Sequence, residues 1–152
     1  MIELDAEVVE REVRIAASPE VIFSFFTDPE RAVRWMGIEA TLDPRPGGIY
    51  RVHIQGPHVA SGRYVELIPY SRVVFTWGWE AEDELVRPGS STVEIALIPD
   101  GKETIVRLTH RDLPVAERDG HAHGWDHFLP RLVLAAAGAD PGPDPWAIAA
   151  GQ

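Results

Sequence analysis

No cysteine occurs in the 152 residues, so the chain offers neither a disulfide framework nor a thiolate metal site. Nothing in residues 1–10 resembles a basic, apolar signal sequence, and the expected compartment is the cytoplasm. No apolar run approaches the ~18 residues needed to span a bilayer. Basic residues are in deficit: 14 Lys and Arg against 24 Asp and Glu leave a formal charge of −10. Such a balance repels phosphate backbones and anionic headgroups, so neither nucleic acid nor membrane is an expected partner. Also missing are a serine in a Gly-x-Ser-x-Gly elbow, a phosphate loop and a dinucleotide fingerprint. Nucleophilic catalysis therefore lacks support, and no cofactor is expected.

What is present fits one domain with a single core, expected over residues 1–138, followed by a Pro/Gly-rich tail over 139–152. The one long helical pattern is 120–138. Trp125, Phe128, Leu129, Leu132, Val133 and Ala136 recur there at helical spacing and predict one apolar stripe resting on a sheet. Pro130 interrupts it, because it cannot donate to the Asp126 carbonyl and its ring crowds that oxygen. A bend is expected, with one helical segment ending near Phe128 and another beginning at Pro130. His123 and His127 fall on the opposite, solvent side of the wheel. Their i, i+4 spacing suits a metal, but no further ligand completes a site, and no metal is expected.

Upstream, Val9, Val13 and Ile15 alternate with charged residues as in a half-buried strand, a pattern that Arg11 spoils. Ser18-Pro19-Glu20 and Asp28-Pro29-Glu30 each supply a side-chain cap, a proline for the first turn and a carboxylate at the positive helix end. Two short helices are expected, the second stopping at Gly37. Strand patterns follow over 38–42, 49–55, 62–68, 72–79, 92–98 and 104–111, separated by Pro/Gly turns. The layout is α+β: a curved antiparallel sheet of about six or seven strands around one long helix.

Side-chain alternation assigns a concave face: Tyr50, Val52 and Ile54; Val65 and Leu67; Val73, Phe75, Trp77 and Trp79; Val93, Ile95 and Leu97; Val106, Leu108 and His110. Its aromatic and polar members carry polar atoms that need partners when buried. An inward His110 with Arg63 or Glu66 nearby is the one acid–base arrangement left open. In the tail, Trp146 and Ile148 favour strapping over the surface, with a partner or dimer contact as the rival reading.

Six motifs then carry a resemblance: Trp35-Met36-Gly37, the turn from Asp43 to Gly48, the 62–66 strand, the run from Pro69 to Trp77, the 104–110 strand, and Gly120-His121 followed by Gly124-Trp125. Over residues 7–138 the chain resembles the START-like (SRPBCC) helix-grip superfamily. More narrowly, it is similar to the branch named after the activator of the heat-shock chaperone ATPase, departing from the usual pattern at Pro130. The resemblance implies a cavity between the long helix and the sheet. This fold hosts ligand carriers, cyclases, aromatases and chaperone cofactors alike. The expected function is binding of an apolar or aromatic small molecule, with Tyr50, Trp77, Trp79, His110, Trp125 and Phe128 as ligand-binding residues. The alternatives are a protein-binding cofactor, with a chaperone or a second copy as partner, and a cyclase-like enzyme using the same cavity.

Overall fold

The computed structural model describes residues 8–146. In chain order the elements are β1 (Val9–Ile15), α1 (Pro19–Ser24), α2 (Pro29–Ala32), β2 (Glu39–Leu42), β3 (Ile49–Gln55), β4 (His58–Ile68), β5 (Arg72–Trp77), β6 (Ser91–Asp100), β7 (Glu103–Arg111) and α3 (Val115–Ala136). The seven strands form one antiparallel sheet in the order β1-β7-β6-β5-β4-β3-β2.

Local sequence explains the elbow between β1 and β2. The Ser18 hydroxyl accepts from the Val21 amide at 3.2 Å, and the Asp28 carboxylate accepts from the Glu30 amide at 3.0 Å, with Pro19 and Pro29 in the first turns. Each side chain satisfies an amide that a helix start leaves without a carbonyl. The elbow is then pinned to the core by two buried polar tips. Trp35 Nε1 donates to the Phe25 carbonyl at 3.1 Å, and the Tyr64 hydroxyl donates to the Phe26 carbonyl at 2.6 Å.

Arg11 occupies an inward register position on β1 and lies beside α3, where its guanidinium grips the Asp126 carboxylate at 2.6 and 3.2 Å. The residue that breaks the strand alternation is therefore the one that reaches the helix. Both partners are substantially exposed, so the pair orients α3 more than it stabilises the fold.

Three differences from the sequence expectations have identifiable causes. Strand β4 begins at His58, because Gly56 and Pro57 form a tight hairpin that closes at the Gln55–His58 pair. A register shift between Tyr64 and Glu66 places Tyr64 in the core, 1% exposed, and turns Val65 outward at 52%. Val65 therefore does not belong to the concave face, since a bulge reverses the alternation beyond it. Strand β5 stops at Trp77, because the backbone at Gly78 passes so close to the Arg87 carbonyl that a Cβ would sit 1.7 Å from it.

The long helix also differs. It starts five residues before the expected Gly120, since Val-Ala-Glu-Arg-Asp forms its first turns behind Pro114. It then runs unbroken through Phe128, Leu129 and Pro130, so it is one helix and not two segments. Asp126 and Pro130 are both on the exposed face, where water can serve the carbonyl that proline leaves without a donor. The apolar stripe packs on the sheet: Trp125, Phe128, Leu129, Leu132 and Ala136 are buried, while Val133 is half-buried.

Candidate functional site

The concave face of β3, β5 and β7 presents its large side chains to α3. The Tyr50 ring stacks on Phe75 with centroids 3.9 Å apart, and Trp77 lies 5.3 Å from Trp125 and 5.5 Å from Trp79. These rings occupy most of the space between helix and sheet. What is left is a small cavity of about 40 Å³, bounded by Trp77, Trp79, Trp125 and Phe128 together with Met36, Ile54, His121 and Gly124. Its wall presents only apolar surface. Of the six residues expected at the site, four reach this wall. Tyr50 and His110 do not.

The other four wall residues lie outside the set that the sequence points to. Gly124 lines the space without a side chain, and a Cβ built on it would meet nothing within 4 Å. A glycine inside a helix costs about 1 kcal/mol relative to alanine, so the gap is kept open against helix propensity. His121 lies one helical turn before Gly124. Its Nδ1 donates to the Glu117 carbonyl at 2.8 Å, leaving Nε2 to accept from Trp79 Nε1 at 3.0 Å.

His110 sits deep in the core with no exposure. Trp125 Nε1 donates to its Nδ1 at 3.1 Å, so in the neutral ring the proton is on Nε2, which donates to the Ser91 hydroxyl at 2.8 Å. The Ser91 hydroxyl in turn donates to the Trp77 carbonyl at 2.8 Å. Burial, with the neighbouring His121 adding to it, pushes the His110 imidazole down to about 3. Arg63 and Glu66 do not assist it: Arg63 donates to the Gly47 carbonyl, and Glu66 pairs with Arg72. With both nitrogens engaged, this histidine ties β6, β7 and α3 together and is not poised to move protons on a ligand.

His127 departs from its expected solvent position. Its Nε2 bonds Asp144 Oδ1 at 2.8 Å, and its ring stacks on Trp146 at 3.6 Å with the planes 4° apart. The same indole meets the edge of Phe128, a cavity residue. Arg131 holds the intervening chain through the carbonyls of Pro141 and Gly142 and also donates to the Trp35 carbonyl. Residues 139–146 are thus strapped across α3, while Ile148 lies outside the described residues. Among the described residues no three His, Asp or Glu side chains gather as a metal would require.

A seven-stranded antiparallel sheet gripping a C-terminal helix, with two short helices after its first strand, is the helix-grip fold of START-like proteins. Within that class the chain belongs to the Activator of Hsp90 ATPase homolog 1-like family, whose model matches residues 16–137. It is similar to an AHSA1-like protein from Rhizobium etli solved by NMR, with 48% identity and a TM-score of 0.72 over 91% of this chain and 87% of that one. An Hsp90 activator from Plasmodium falciparum matches with 26% identity and a TM-score of 0.66 over 83% of this chain and 93% of that one. The Aha1 dimer from Colwellia psychrerythraea, at 20% identity and a TM-score of 0.73 over 86% of this chain and 96% of that one, shares the fold. No curated protein matches the sequence.

Proposed function

We propose that the chain binds one small apolar or aromatic molecule between α3 and the sheet, without a cofactor. The observation that carries this reading is the apolar gap kept open beside Gly124, inside an otherwise close-packed aromatic core. At about 40 Å³ the gap is far below the roughly 300–1,000 Å³ of a typical ligand pocket, so binding must move the wall. Met36 has the torsional freedom to do so, and the half-buried Trp79 borders solvent where a molecule would enter.

Gly124→Ala tests this with opposite signs for stability and binding. The added methyl enters free space, so the variant should be about 0.5–1 kcal/mol more stable from helix propensity, while the narrowed gap weakens binding. Gly120→Ala is the control, because Gly120 is exposed, also has free space around a Cβ and does not line the cavity. It should gain the same stability with binding unchanged. The measurement is tryptophan emission during titration with a panel of hydrophobic compounds, since three of the five tryptophans form the wall. Equal binding by both variants and the wild type would remove the site from between α3 and the sheet.

A second reading, a cofactor that docks on a chaperone or on a second copy of itself, is favoured by the extent to which aromatic rings fill the interior. The Plasmodium relative is described as an Hsp90 activator and the Colwellia relative as a dimer. Wild-type emission that no member of the panel shifts would put this reading ahead.

A further inference from the structure

All five tryptophans lie in or against the core, and the fate of the N–H groups of Trp35, Trp77, Trp79 and Trp125 differs. Those of Trp35, Trp79 and Trp125 each find an acceptor, at 3.1, 3.0 and 3.1 Å. The indole N–H of Trp77 is buried with no partner among the described residues, although Trp77 itself is 3% exposed and forms part of the cavity wall. An indole nitrogen can only donate, and a buried donor without an acceptor is uncommon enough to require a reason.

The surroundings of Trp77 do not supply that acceptor. Its nearest neighbours are the rings of Tyr50, Phe75, Trp79, His110 and Trp125. Both nitrogens of His110 are engaged, and His121 Nε2 already accepts from Trp79. Water is a poor substitute, because an ordered buried water needs two to four polar partners and the wall is apolar. We infer that the site selects neutral molecules carrying a hydrogen-bond acceptor, aromatic ketones for example, which present that acceptor to the Trp77 N–H. This inference rests on the ligand-binding reading above and adds the chemical class to it.

The exclusions follow from the same atoms. No Lys, Arg, Asp or Glu lines the cavity, so a charged ligand would be desolvated without a counter-charge. The N–H contributes no surface to the empty gap, so the proposed ligand meets it only by displacing the wall, as its size already requires.

The test pairs acetophenone with α-methylstyrene, which replaces the carbonyl oxygen by a methylene group at nearly the same shape. Protein labelled with ¹⁵N at its tryptophans is titrated with each. Acetophenone should bind about three- to tenfold tighter, the range of one neutral hydrogen bond, and move the Trp77 indole proton downfield. Trp77→Phe should abolish that preference while the alkene still binds. Should this variant fail to fold, the wild-type pair decides alone. Equal affinities with a stationary Trp77 resonance overturn the inference and leave the binding reading intact. If neither compound binds, the binding reading fails and the inference falls with it.

Discussion

Replacing Leu132 by alanine is expected to destabilise the fold by about 2–5 kcal/mol, the range for a leucine removed from a packed interior. Leu132 is fully buried on the face of α3 that rests on the sheet. The loss combines the transfer free energy of the deleted carbons with the cavity they leave, and rings on the opposing face cannot collapse into it without leaving their own contacts. Against a total of roughly 5–15 kcal/mol for a domain of ordinary stability, one such substitution removes a large share. Leu134 supplies the internal comparison, because it is on the same helix, two residues away, and 45% exposed. Leu134→Ala should cost under about 1 kcal/mol, as surface substitutions generally do. Urea unfolding at constant slope measures both. Equal costs would mean that α3 is not gripped by the sheet.

The second large effect is an acid instability that originates at His110. Its folded imidazole is held near 3 by burial, whereas in the unfolded chain it titrates near 6.5. Between those values the unfolded state binds a proton that the folded state refuses, so the neutral ring's contribution is fully present above about pH 6.5 and is lost as pH falls towards 3. The slope is about 1.4 kcal/mol per pH unit for one proton. Protonation would also abolish the acceptor that Trp125 uses and set a new Nδ1–H against its indole N–H. Glu80, Glu94 and Asp126, whose carboxyls are held low by arginine partners with burial opposing, add their own losses in acid. His110→Gln separates the contributions, since it keeps an amide able to hydrogen-bond but does not titrate. Urea unfolding at pH 7, 6, 5 and 4 should give a steeper decline for the wild type by up to one proton. Parallel declines would show that His110 is not held neutral by the fold.

Features set by neighbours along the chain are legible in the sequence. Ser18-Pro19 and Asp28-Pro29 announce two helix starts because a cap and its amide are three residues apart or fewer, and β3 follows its alternation from Ile49 to Gln55. Features set by pairing across the fold are not legible in this way. The bulge that exchanges Val65 for Tyr64 depends on how β4 meets β5, and alternation read along one strand carries no sign of it. The start of α3 is obscured because Gly120 and Gly124 sit inside the helix, where glycine ordinarily signals its boundary. His127 faces solvent on a helical wheel and is covered only because Asp144 and Trp146 fold back over it.

The site divides in the same way. Trp77, Trp79, Trp125 and Phe128 are legible from period alone, as large residues on facing surfaces. The inward direction of His110 is equally plain, but its partners come from β6 and α3, so its role as a structural hydrogen-bond hub cannot be read from β7. Gly124 belongs to a sequence motif that gives no hint of its use. A gap is made of the atoms that are missing from it, and composition does not record which glycine faces a neighbour and which faces free space.

Native mass spectrometry of the protein recovered under non-denaturing conditions tests the binding reading most directly, with Gly124→Leu as the companion sample. A leucine at that position fills the gap with four carbons, while its helix propensity compensates for the intrusion. The wild type is expected to carry one small neutral molecule per chain, released on unfolding, and the variant to fly as the bare polypeptide. A bare wild-type mass, together with tryptophan emission that no hydrophobic compound shifts, would contradict the existence of a ligand site between α3 and the sheet.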